Sequence, residues 1–135
     1  MRPFVLCVDD ESDVTGLLRF LLTRAGCETG TAASGRAALA AVRARRPDLV
    51  LLDLMLPDID GFGVCEILRR EPATADIPVV MLTAWTTRDA RLHALGLGAL
   101  DYLTKPFSPR DLIVRLPSWL GRGAGEIFPP APAPR

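Results

Sequence analysis

An excess of charge of one sign is what this chain most plainly lacks. Lys plus Arg and Asp plus Glu number 16 each, so the formal net charge is zero. The basic footprint of a nucleic-acid-binding surface is therefore missing, and direct nucleic-acid binding is not expected. Cysteine is scarce. The 3 present are odd in number and widely spaced, which argues against a disulfide framework. Cys7, Cys27 and Cys65 read instead as small buried hydrophobes in a reducing compartment. No apolar run reaches the roughly 18 residues of a membrane span. The chain turns into a strand within a few residues of Met1, so no signal peptide is expected. Together these features point to a cytoplasmic protein without a membrane segment. No internal repeat and no second domain are visible.

What is present suits one packed domain. The chain has 135 residues, 49% of them apolar, enough for a full hydrophobic core. Phe4 to Val8 is a continuous apolar strand of the kind buried on both faces. Glu11 to Arg24 follows as a helix, with Val14, Leu17, Leu18, Leu21 and Leu22 on one face, and Gly26 stops it. Cys27 to Ala32 is a weaker strand near an edge. Ser34 caps a helix to about Arg45. Leu49 to Leu54 is the third strand, and Pro57 to Gly61 a turn with an N-cap acid. A helix from Phe62 to Arg70 leads to the strand Ile77 to Leu82, where Pro78 is tolerated near the start. Thr87 to Leu95 is a short helix, Leu100 to Thr104 the fifth strand, and Ser108-Pro109-Arg110-Asp111 the start of a last helix. Strand and helix alternate five times, which predicts a doubly wound α/β fold with a parallel sheet. Residues 1–120 make the domain. The Gly- and Pro-rich residues 121–135 read as a flexible tail or linker.

Four of the strands end in groups that handle phosphate or metal. The first ends in Asp9-Asp10, the third in Asp53, the fourth in Thr83 and the fifth in Lys105-Pro106. In an open parallel sheet these carboxyl ends share one edge, where ligands bind. Carboxylates so grouped repel one another unless a cation relieves them. Mg2+ takes oxygen ligands, one or two of them carboxylates, together with phosphate oxygens. An Asp carboxylate is also a nucleophile toward phosphorus, and a Lys ammonium or a Thr hydroxyl can hold a phosphoryl oxygen. Each residue alone has a plain structural reading. Their joint occurrence at four strand ends does not.

The motifs Val8-Asp9-Asp10-Glu11, Leu52-Asp53-Leu54-Met55-Leu56-Pro57 with Asp60-Gly61, Leu82-Thr83-Ala84, Gly98-Ala99 leading to Asp101-Tyr102, and Thr104-Lys105-Pro106-Phe107 resemble the receiver domains of two-component response regulators. The resemblance runs from about Phe4 to Leu116. It implies a flavodoxin-like fold with strand order 2-1-3-4-5. It implies Asp53 as phosphoacceptor, and Mg2+ held by Asp10, Asp53 and the Met55 backbone carbonyl, with Asp9 acting partly through water. Thr83 and Tyr102 match the switch pair, Lys105 the phosphoryl contact, and the Lys105–Pro106 peptide is expected to be cis. The partners implied are a sensor histidine kinase or phosphotransfer protein and a downstream protein target. Such a domain catalyses its own phosphorylation and dephosphorylation and is not a metabolic enzyme. Met55 and Trp85 occupy the two positions that tune phosphoryl loss, and both are large and apolar. They are expected to hinder the attacking water.

Other readings are weaker. The haloacid-dehalogenase-like phosphatases need an Asp-x-Asp pattern after the first strand, where this chain has Asp9-Asp10-Glu11. Asp58-Ile59-Asp60-Gly61 resembles part of a calcium loop whose other ligands are missing. A receiver that binds partners without phosphate is opposed by the complete acid, Thr and Lys set. Lys105 to Pro109 is typical of receivers joined to winged-helix DNA-binding domains, which often dimerise through ion pairs. Arg91 with Asp111 and Asp101 with Arg115 are candidates. Pro117 is expected to end or kink the last helix near Leu116, which weighs against that homodimer. A stand-alone receiver is the preferred expectation, and an N-terminal fragment of a DNA-binding regulator is the alternative.

Overall fold

The computed structural model describes residues 2–85 and 87–121. The proposed tail, apart from Gly121, lies outside the described residues. The elements alternate as β1 (Phe4–Val8), α1 (Ser12–Arg24), β2 (Glu28–Ala32), α2 (Gly35–Ala44), β3 (Leu49–Leu52), α3 (Gly61–Arg70), β4 (Val79–Thr83), α4 (Arg88–Gly96), β5 (Asp101–Thr104) and α5 (Pro109–Trp119). The strands form one parallel sheet in the order β2-β1-β3-β4-β5, the flavodoxin-like arrangement expected.

Strands β1, β3 and β4 are buried on both faces, as their unbroken apolar runs require, whereas the polar edge strand β2 is buried only at Ala32. Alternate residues serve two cores. Leu6, Val8, Val50, Leu52, Val79 and Met81 pack beneath α2, α3 and α4. Val5, Cys7, Leu49, Leu51, Val80 and Leu82 face α1 and α5. Cys7, Cys27 and Cys65 are all buried and free, and burial pushes the Cys7 thiol up to about 12. No helix among the described residues is long and apolar enough to cross a membrane.

Local chemistry sets the element ends. Ser34, Asp60, Thr87 and Ser108 cap α2, α3, α4 and α5, each side chain accepting a main-chain N–H from the first turn. Strand β3 stops at Leu52, short of the expected Leu54, because the Leu54 carbonyl turns to accept Leu56 and Gly61 N–H groups at 3.1 and 3.0 Å. Strand β4 begins at Val79 rather than Ile77, since Pro78 has no N–H to offer the ladder, and it continues through Thr83.

The last helix corrects the expectation most clearly. It does not end near Leu116 but runs to Trp119, with Pro117 inside it. Proline removes one N–H, yet the turn is closed by Leu120 N–H on the Leu116 carbonyl at 3.1 Å. Leu116 and Trp119 are buried in the core shared with α1, and the Trp119 indole N–H donates to Asp101 Oδ2 at 2.9 Å. Burial of that last turn outweighs the local penalty.

Candidate functional site

The sheet order reverses beside β1, whose neighbours are β2 and β3. Crevices at such a point lie outside the carboxyl ends of the strands. Asp9 and Asp10 leave β1 there and Asp53 leaves β3. Asp53 stays tied to β1 through its N–H on the Val8 carbonyl at 3.0 Å. Lys105 arrives from β5, positioned by its own N–H on the Thr83 carbonyl at 2.8 Å. The Lys105–Pro106 peptide is cis.

One carboxylate oxygen from each of Asp9, Asp10, Glu11 and Asp53 lies within 4.8 Å of the others. Asp9 and Asp53 are buried, at 3% and 4% exposure, whereas Asp10 and Glu11 face solvent. The Lys105 ammonium donates to Asp9 Oδ2, to Asp53 Oδ2 at 3.2 Å and to Glu11 Oε1 at 3.4 Å. Asp9 Oδ1 accepts the Glu11 N–H at 2.9 Å and Asp53 Oδ1 the Met55 N–H at 3.3 Å. Burial raises the Asp9 carboxyl above its ordinary range. The Lys105 hydrogen bond and the Glu11 N–H oppose that rise, and the Asp53 charge adds to it. Burial also opposes the charge on Lys105, but the Asp9 hydrogen bond and the charges of Asp53 and Asp9 together outweigh it, so the ammonium is held above its usual range.

Among the described residues, Lys105 is the one cation paired with these four carboxylates, so acids outnumber bases in the cluster. Its donors are all hard oxygens, a set suited to Mg2+. The residues therefore fit the metal.

Thr83 is fully buried at the end of β4, and its hydroxyl accepts the Trp85 N–H at 3.2 Å. Tyr102, buried in β5, donates its hydroxyl to the Trp85 carbonyl. Met55 and Trp85 are largely exposed, and with Asp10, Leu56 and Phe62 they line a cavity of about 410 Å³ beside the acids. Phe62 stacks obliquely on Trp85 at 6.0 Å and edge-on to His93 at 4.6 Å. Gly61 stands where it does because a Cβ there would lie 2.5 Å from the Asp53 carbonyl oxygen. The start of α3 packs directly on the strand end that carries Asp53.

Two residues escaped the sequence reading of the site. Glu11 joins the acid cluster, and its position beside Asp9-Asp10 was the available signal. Asp58 caps α2 from across the sheet edge, a role no local pattern reveals.

Residues 5–117 match the family model of the response regulator receiver domain. The chain belongs to that family. This receiver domain is 42% identical over 127 residues to the phosphate regulon transcriptional regulatory protein PhoB of Pseudomonas aeruginosa, covering 93% of the chain and 56% of that protein. It is 44% identical over 126 residues to the DNA-binding response regulator MtrA of Mycobacterium leprae, covering 93% of the chain and 55% of that protein. The chain thus spans about half the length of the curated relatives it matches. The solved chemotaxis response regulator CheY4 of Vibrio cholerae superposes with a TM-score of 0.83 at 32% identity, covering 88% of this chain and 99% of that one.

Proposed function

We propose that this receiver accepts a phosphoryl group on Asp53 from a phosphohistidine of a sensor kinase or phosphotransfer protein. The observation that carries the reading is the buried Asp53 carboxylate, held beside Asp9 and Asp10 with Lys105 against it. An Asp53 oxygen attacks phosphorus, the N–P bond to histidine breaks, and the nitrogen keeps the electron pair. Asp10, Asp53 and the Met55 carbonyl are the residues to hold Mg2+, with Asp9 acting through water. Bound there, Mg2+ would neutralise charge on the transferring group and align it. Lys105 is the contact for a phosphoryl oxygen and Thr83 the second donor. Water later cleaves the acyl phosphate, returning free Asp53 and inorganic phosphate. Met55 and Trp85 are assigned to slow that water.

Phosphorylation shifts a two-state equilibrium. Thr83 and Tyr102, joined through Trp85, are the switch pair. The readout face is that of α4, β5 and α5, where Leu92, Leu95, Leu100 and Val114 are exposed. It suits a downstream protein or a second copy of this chain. Arg115 already pairs with Asp101 and Asp111 at 3.5 and 3.1 Å within one chain, so a homodimer built on those charges requires the pairs to exchange. Sedimentation with and without a phosphoryl mimic reads that exchange, and a chain that stays monomeric in both states excludes it. The DNA-binding relatives favour a second reading, in which a further segment of a longer protein reads the same face. The reactions proposed suit the cytoplasm, where kinase and target would be found.

Beryllofluoride with Mg2+ tests the site assignment. Amide resonances of Thr83, Tyr102 and Lys105 are expected to shift in the wild type and to stay fixed in Asp53→Asn. Shifts that persist in the variant would contradict it.

A further inference from the structure

The loop from Asp53 to Asp60 carries the acceptor and the Met55 carbonyl, and it is fastened at two places. Its base is closed by the Gly61 N–H on the Leu54 carbonyl at 3.0 Å. Its tip is fastened to another helix. Asp58 Oδ1 accepts the Gly35 N–H at 2.7 Å and Oδ2 the Arg36 N–H at 3.0 Å. The same Oδ1 accepts the Ile59 N–H at 2.7 Å. These N–H groups, that of Ile59 foremost, hold the Asp58 carboxyl below its ordinary range.

Gly35 and Arg36 begin α2, and the first N–H groups of a helix have no partner inside it. The helix dipole also favours a carboxylate there. Helix α2 already has a cap from its own chain, since Ser34 Oγ accepts the Ala37 N–H at 3.1 Å. The helix start is therefore capped twice, once by its own preceding residue and once by the loop that carries the site. The two backbones also touch. A Cβ on Gly35 would collide with the Ile59 carbonyl oxygen and come within 2.8 Å of the Ile59 Cβ. Ile59 itself packs against the core under α2 and α3.

We propose that Asp58 is a positioning residue for the metal and phosphoryl site, pinning the loop tip to α2 and so setting where the Asp53–Met55 segment lies. This rests on the assignment of Asp53 and Met55 to Mg2+ made above. Mg2+ demands near-ideal octahedral placement of its oxygens, so a loop free to shift binds it less well. Asp58 lies outside the acid cluster and acts through the backbone of Leu56 and Pro57.

Two alanine variants separate positioning from helix stability. Asp58→Ala removes the pin, while Ser34→Ala removes the other cap of the same helix and leaves the loop alone. Each is titrated with Mg2+ alone, followed by amide chemical shifts, and its melting temperature is measured. Both are expected to melt lower than the wild type. The Mg2+ Kd is expected to rise about 10-fold in Asp58→Ala, as for other residues that orient metal ligands, and to stay at the wild-type value in Ser34→Ala. Asp58→Asn keeps one acceptor and should fall between, which preserves the test if the alanine variant does not fold. Wild-type affinity in Asp58→Ala or Asp58→Asn, or equal weakening in Ser34→Ala, overturns the proposal. A wild type that binds no Mg2+, or binds it equally after Asp53→Asn, overturns instead the site assignment on which it rests.

Discussion

Tyr102 donates its hydroxyl to the main-chain carbonyl of Trp85, whose N–H in turn reaches the hydroxyl of Thr83 at 3.2 Å. One loop residue therefore joins the aromatic of β5 to the hydroxyl at the end of β4. The Arg91 guanidinium lies 5.4 Å from the centre of the Tyr102 ring, so the ring is held from α4 as well.

Tyr102→Phe keeps the ring in the core and removes that one donor. A loss of about 1 kcal/mol in stability is expected from urea unfolding. The beryllofluoride-induced shift of the Trp85 amide should also shrink. An unchanged shift at Trp85 would show that the loop responds without Tyr102.

The acid cluster makes stability depend on pH through Asp9. Its carboxyl is raised above the ordinary 3.8, chiefly by burial. The folded state therefore binds that proton more tightly than the unfolded state. This contribution is fully present below pH 3.8 and is lost as pH rises through the raised value. At neutral pH the charged, buried Asp9 is a penalty. Asp9→Asn is expected to raise the melting temperature at pH 7 and to lose that advantage in acid. Added Mg2+ should stabilise the wild type more than this variant. Thermal melts across pH, with and without Mg2+, check both statements. A variant that melts lower than the wild type at pH 7 would mean that the Lys105 pair outweighs the burial cost.

Met55 and Trp85 flank the acids as exposed apolar side chains. Met55→Asn and Trp85→Ala should each shorten the phosphoryl lifetime several-fold, measured as decay of the phosphorylated mass after the donor is removed. Wild-type decay as fast as that of Met55→Asn would contradict the assignment, and unchanged decay in Trp85→Ala would leave Trp85 only the role of covering its loop.

Much of this was legible because the signals were local or additive. Apolar runs marked the strands, caps marked the helix starts, and the polar residue after each run marked one sheet edge. The sequence alone places Asp9, Asp10, Asp53 and Lys105 together, since parallel strands bring their carboxyl ends to one side. Pro117 shows the limit. A proline penalty is a local rule, and the burial of Leu116 and Trp119 with the indole bond to Asp101 is tertiary. Asp58 shows another. Its partners Gly35 and Arg36 lie 23 and 22 residues away, and an Asp in a turn looks the same whether it caps its own helix or a distant one. The chain's own use of Asp101 and Arg115 was hidden likewise, because both charges are equally free to meet a partner when read from sequence.

The central claim is that Asp53 takes a phosphoryl group in a pocket completed by Mg2+. Intact mass after incubation with acetyl phosphate tests it most directly, with Mg2+ and with chelator, for the wild type and Asp53→Asn. The account predicts the gain of one phosphoryl group by the wild type with Mg2+, and no gain with chelator or in the variant. A gain that survives chelation or the loss of Asp53 would contradict it.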